Sequence, residues 1–227
     1  EEMLGNKGDF PVDIIVKEKP DYYDVRFGNL CNMKCITCGP QYSSEHYEEY
    51  IKIYNDIKVE TRNNEKQIDS EMTKLGEYCH VGHVMTADEM DVIKQNKGDY
   101  DWPQNDKVFD SILEQITTSN TQKLYITGGE PTLIDENVEI LQTVLDANNK
   151  NCYVALTTNL THWNEEFYRR LSYFNNAEVQ ISVDGIGEKN SYIRYPSKWE
   201  HIEKNFLRLR NNLPTHFIIK HYTVYSI

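Results

Sequence analysis

The stretch FGNLCNMKCITCGP, Phe27 to Pro40, holds three cysteines, Cys31, Cys35 and Cys38, within eight residues of a 227-residue chain that has five in all. Thiolates at this spacing can each take one iron of a cubane [4Fe-4S] cluster, which normally has four protein ligands, so three leave one iron open. The competing reading is a structural zinc tetrahedron closed by a fourth ligand from CHVGH, that is by Cys79, His80 or His83. The cysteines alone do not choose between iron-sulfur and zinc.

Working outward, DYYDVRFGN reads as a strand running into the cysteines, and YSSEHYEEYIKIYNDI as a helix with Tyr47, Tyr50, Ile51 and Tyr54 facing inward. Residues 58–105 show weak period and many charges, and such a long stretch without regular structure marks an insertion. Placed after the first strand's loop, it would emerge at the ligand-binding edge and could cover it. DKVFDSILEQI then predicts a helix with Phe109, Ile112, Leu113 and Ile116 on one face. From Lys123 onward strands and helices alternate. The strands are KLYIT, CYVALTT, AEVQISVDG and HFIIKHYTVYS. The helices are DENVEILQTVLDANN with Asp135 as N-cap, NEEFYRRLSYF, and SKWEHIEKNFLRLRNN with Trp199, Ile202, Phe206 and Leu209 inward. Alternation of this kind predicts an α/β fold with a parallel sheet of five strands, near 22–28, 123–127, 152–158, 177–184 and 216–225.

Composition narrows the function. Lys and Arg number 24 against 36 Asp and Glu, a net charge of −12, with no basic run, so nucleic acid is a poor partner. No apolar run approaches the ~20 residues of a membrane span, and no leader pattern opens the sequence. An odd, clustered set of cysteines is not a disulfide framework, which points to a reducing cytoplasm. Cys152 begins a strand and reads as core, while Cys79 lies in the insertion.

A second motif, YITGGEPTL, sets Gly128, Gly129, Glu130 and Pro131 at the carboxyl end of a strand, the edge where parallel α/β sheets bind ligands. Glycines let backbone approach a ligand, and a glutamate there suits an ammonium group. In VQISVDG, Gln180, Ser182 and Asp184 share one strand face and Val179, Ile181 and Val183 the other, so polar side chains line the interior. Arg194 follows that strand, and its planar fork suits a carboxylate.

Taken together, Cys31-x3-Cys35-x2-Cys38 and Gly128-Gly129-Glu130-Pro131 resemble the radical S-adenosylmethionine (SAM) superfamily along nearly the whole chain. That resemblance implies a partial parallel (β/α)6 barrel, with the sixth strand and any small twitch domain beyond Ile227. It implies a [4Fe-4S] cluster on the three cysteines, with the amino and carboxylate groups of S-adenosylmethionine on the fourth iron. It also implies reductive cleavage to a 5′-deoxyadenosyl radical that abstracts hydrogen from a substrate, and an electron donor such as flavodoxin or ferredoxin; the acidic charge favours a peptide, a protein or a neutral small molecule as that substrate over a polynucleotide. By the same likeness Gly128, Gly129, Glu130 and Pro131 receive the methionine ammonium, and Thr158 and Asn159 end a strand that contacts the co-substrate. Ser182 and Asp184 line the interior, and Arg194 meets the carboxylate. No side chain is marked as an acid or base. The family's aromatic residue before the third cysteine is here Thr37, which leaves adenine to Tyr42 or the fifth strand. A 7-carboxy-7-deazaguanine synthase is the alternative within the superfamily, and a zinc-stabilised binding module the alternative outside it.

Overall fold

The computed structural model describes residues 20–78, 106–118, 120–214 and 217–222. In chain order the elements are β1 (Tyr22–Val25), β2 (Lys34–Cys35), α1 (Tyr47–Glu60), α2 (Glu65–Tyr78), α3 (Asp106–Thr118), β3 (Lys123–Ile126), α4 (Glu136–Asp146), β4 (Tyr153–Thr158), α5 (Glu165–Leu171), β5 (Asn176–Ser182), α6 (Glu188–Ile193), β6 (Arg194–Tyr195), α7 (Trp199–Asn212) and β7 (Ile218–Tyr222). Five strands form one sheet in the order β1-β3-β4-β5-β7, every neighbouring pair parallel. The predicted α/β class and the five-strand count both hold, and all carboxyl ends lie on one edge.

The strand alternation sets the two faces apart. Leu124, Ile126, Val154, Leu156, Val179 and Ile181 are buried in the main core beneath Ile140, Leu141, Phe167 and Leu209 of the helices. Full burial of each such side chain contributes roughly 1.5–3 kcal/mol. The opposite, concave face is a polar lattice. Thr157 donates to Gln180 Oε1 at 2.9 Å and shares a 2.8 Å contact with the Tyr125 hydroxyl. Glu178 accepts from Tyr153 at 2.7 Å, Lys220 at 2.9 Å and Gln180 at 2.8 Å.

Three expectations are corrected. Asp135 precedes α4 but makes no side-chain cap, because its own backbone is already helical (φ −65°, ψ −31°); Asn164 does cap α5, accepting from Phe167 N at 3.0 Å. Phe206 is 38% exposed, and the inward position goes to Asn205, whose amide donates to Leu160 O at 3.0 Å and so satisfies a carbonyl of the β4–α5 loop. Residues 58–105 are not uniformly irregular. They begin with the end of α1 and with α2, whose Ile68 and Met72 pack against Tyr47, Tyr50 and Tyr54 in a separate small core. Cys79, His80 and His83 lie outside the described residues.

Candidate active site

The cysteine loop leaves β1 at the carboxyl edge and is tied down by its own polar side chains. The Asn29 amide donates to Pro40 O at 2.7 Å and to the Tyr47 hydroxyl, joining the two ends of the loop to α1. Ser43, almost fully buried, donates to Met33 O at 2.7 Å. Cys38 N donates to Cys35 O at 3.0 Å, a tight turn that brings the second and third thiols to the same side.

From outside the loop, β2 pairs antiparallel with β6, Cys35 opposite Arg194, and Ile36 N donates to Ile193 O at 2.9 Å. A two-residue strand has no periodicity to read, so this clamp had no sequence signal. It carries Arg194 to the second cysteine. The guanidinium is buried, with Nε 2.7 Å from Asp184 Oδ2 and Nη1 4.0 Å from Cys35 Sγ.

The Gly-Gly turn grips the loop from the third side. Gly128 and Gly129 adopt φ of +91° and +45°, and a Cβ on Gly129 would stand 2.2 Å from Leu30 O. No other residue type fits there. Glu130 N donates to that same Leu30 O at 2.8 Å. The Glu130 side chain, however, turns away from the cavity. Fully buried, its Oε1 accepts from Thr132 N at 3.2 Å, Thr132 Oγ1 at 2.7 Å and Thr158 Oγ1 at 2.7 Å, and its Oε2 from Asn159 N at 2.7 Å. Burial pushes its carboxyl up, against the pull of those donors. In this arrangement Glu130 braces the end of β4 to the glycine turn. Pro131, buried, opens the following 3-10 turn.

Asn159 closes the ring of contacts. Its amide nitrogen donates to Asn32 Oδ1 at 3.0 Å and stands 4.0 Å from Cys31 Sγ, while Asn32 donates to Thr161 Oγ1 at 2.9 Å. Asn29, Asn32 and Thr161 were not anticipated, because asparagine and threonine in loops carry no chemical signature until their partners are known.

A cavity of about 290 Å³ lies inside these contacts. Cys31, Cys35 and Cys38 line it, as do Gly128, Gly129, Thr158, Asn159, Ser182 and Arg194 of the predicted set. Glu130, Pro131 and Asp184 stand behind the wall. Tyr42 and Arg26 also line it, and both reach an adjoining cleft beside Gly28. Burial pushes the Cys31 thiol up to about 11 and the Cys38 thiol up to about 12, and raises Cys35 against the opposing charge of Arg194. Three thiols, two buried and one half-buried, that resist ionisation on their own suit a site in which bound metal deprotonates them. Among the described residues, no three His, Cys, Asp or Glu side chains surround a single metal position. A cubane takes each thiolate at a separate iron, so three thiols of one loop can hold a cluster with one iron left open.

Against known families, the Radical SAM superfamily model matches residues 77–224, more than half of the chain, and the chain belongs to this superfamily. It is a superfamily of enzymes that use a [4Fe-4S] cluster and S-adenosylmethionine. The matched span begins after Cys38, so the cysteine loop rests on the geometry above. Among solved structures, a histidine-tagged anSMEcpe with bound AdoMet aligns at 19% identity and a TM-score of 0.48, covering 86% of this chain and 40% of that one. Native anSMEcpe with bound AdoMet and Cp18Cys peptide aligns at 25% identity and a TM-score of 0.39, covering 50% and 34%. This chain thus spans well under half the length of those proteins. No curated protein matches it. Among the described residues no helix is long and apolar enough to cross a membrane.

Proposed function

We propose that the chain is the core of a radical SAM enzyme, residues 1–227 with an insertion at 58–105, in which Cys31, Cys35 and Cys38 hold a [4Fe-4S] cluster with one iron open to S-adenosylmethionine. The observation that carries this is the shared cavity: the buried thiols of Cys31 and Cys35 and the half-buried thiol of Cys38 line it with the glycine turn, Asn159 and Arg194 at the carboxyl edge of a parallel sheet. When bound, the cluster and co-substrate supply reductive cleavage to a 5′-deoxyadenosyl radical and hydrogen abstraction from a substrate, chemistry that belongs to them and not to a side chain.

The residues of the chain hold and shield. The three thiolates fix the cluster, and the main chain of Gly128 and Gly129, which can approach closely for want of a Cβ, offers carbonyls to the methionine ammonium. Arg194 offers the rest of its fork to the carboxylate, Ser182 lines the floor, and Thr158 and Asn159 keep the wall in place through Glu130. Tyr42 is the aromatic ring at the cavity and is assigned to adenine. A peptide substrate would lie over the polar face of Tyr125, Thr157, Gln180 and Glu178, whose side chains now hydrogen-bond one another and would exchange some of those partners for its main chain. A peptide or protein substrate and a one-electron donor of the flavodoxin or ferredoxin class complete the reading.

The test is anaerobic reconstitution with iron and sulfide, then assay for 5′-deoxyadenosine in the presence of a low-potential reductant. The wild-type chain should form it, and Cys31→Ala, Cys35→Ala and Cys38→Ala should each abolish it. Turnover surviving any one of these changes defeats the assignment.

A further inference from the structure

The three thiols, alike in sequence, meet different neighbours. Cys31 Sγ stands 4.0 Å from the neutral Asn159 amide, and Cys38 Sγ lies 3.8 Å from Gly39 O in its own loop. Cys35 Sγ lies 4.0 Å from a guanidinium. That guanidinium is held from two directions. The β2–β6 bridge fixes the backbone of Arg194 opposite Cys35, and Asp184, whose side chain is fully buried, stands 2.7 Å from Nε as an ion pair that is not aligned as a hydrogen bond. Asp184 is itself positioned where its own N–H donates to Asn190 Oδ1 at 3.0 Å, behind the cavity wall and out of reach of a ligand in it.

We propose that Arg194 and Asp184 set the reduction potential of the cluster held by Cys31, Cys35 and Cys38, Arg194 raising it and Asp184 moderating that rise. The inference rests on the cluster reading above but goes beyond co-substrate binding. One-electron reduction adds one negative charge to the cluster and no proton. A fixed cation beside one ligating sulfur stabilises the reduced form, because little solvent screens the charge in a buried site, and hydrogen bonds to cluster sulfurs act in the same direction. The Asp184 carboxylate opposes that field by its own charge, and the β2–β6 bridge keeps Arg194 beside Cys35 when that charge is removed. Arg194 also links the second cysteine to the side of the cavity where the co-substrate carboxylate is placed.

The test uses the full chain, reconstituted anaerobically and titrated potentiometrically with dithionite while the reduced cluster is followed by electron paramagnetic resonance. S-adenosylmethionine is left out, so that loss of its carboxylate contact plays no part. Iron and sulfide content are measured on every variant. Arg194→Gln should shift the midpoint potential to more negative values, Asp184→Asn should shift it to more positive values, and Arg194→Lys should return it toward wild type. A potential that is unchanged or more positive in Arg194→Gln overturns the proposal, as does one that is unchanged or more negative in Asp184→Asn. Where Arg194→Gln fails to hold a cluster, Asp184→Asn decides the question. A wild-type chain that takes up no [4Fe-4S] cluster refutes the underlying reading, whereas a loaded wild type with unmoved variants refutes this inference alone.

Discussion

The convex side of the sheet and its carboxyl edge are both buried, yet they are built by opposite means. On the convex side, Leu124, Ile126, Val154, Leu156 and Val179 meet helix side chains through contacts that specify volume and little else. At the edge, Glu130, Asn159 and Asn32 are held by donors and acceptors with fixed partners, and Arg194 by its ion pair with Asp184. Apolar packing tolerates substitution that conserves volume, whereas a buried polar group that loses its partner bears the full desolvation cost. Stability should therefore be distributed over the convex core, and the capacity to assemble a cluster concentrated at the edge.

The most severe way to break that division is Gly129→Ala. With φ at +45° and Leu30 O standing where a Cβ would go, the glycine turn and the cysteine loop cannot keep their present contact. Cluster loading should be lost and stability should fall by about 3 kcal/mol or more, read from iron content and urea midpoint. Retention of full iron loading would show that the turn does not shape the loop.

A paired comparison sharpens the division. Glu130→Ala strands the four donors it now satisfies, and should cost about 3 kcal/mol and most of the cluster loading. Leu156→Ala opens a cavity in the convex core and should cost a similar amount, about 2–5 kcal/mol. Its folded fraction should nonetheless load iron as wild type does. Equal loss of loading in both variants at matched stability would erase the distinction between the two regions.

How far the sequence reached follows the same division. Strand and helix order were legible because burial imposes a period, as at Val179 and Ile181 against Gln180 and Ser182. The three cysteines and the Gly128-Gly129 turn were legible because each residue type has a narrow chemical use. The bracing contacts of Glu130 were not, since the partners of a carboxylate in a turn cannot be read from residue type. Nor was the β2–β6 clamp, whose partners are some 160 residues apart and whose strands are too short to show alternation. Phe206 misled for a related reason: helical period placed it inward, but the carbonyl of Leu160 required an amide, and Asn205 turned to supply it.

The smallest expected effect concerns the concave lattice. Burial alone would raise the Glu178 carboxyl, but hydrogen bonds from Tyr153, Lys220 and Gln180 more than offset it and hold the group below its ordinary range. A carboxyl depressed in the folded state contributes stability that is fully present above its unfolded value of about 4.3 and is lost as pH falls through the lower folded value. Glu178→Gln should thus cost about 1 kcal/mol near neutral pH, and the difference from wild type should narrow below about pH 4, measured by urea denaturation across pH. A difference independent of pH would mean that the lattice depends on shape and not on charge.

The central claim is that three thiols at this edge hold a cluster with one iron left for the co-substrate. The most direct test is the Mössbauer spectrum of the full chain reconstituted anaerobically with isotopically enriched iron, taken before and after addition of S-adenosylmethionine. The account predicts a single [4Fe-4S] cluster, ~4 iron per chain, in which one iron changes its spectrum on addition while the other three do not. A cluster with four equivalent, unresponsive irons, or a chain that binds a single tetrahedral zinc in place of iron, would contradict it.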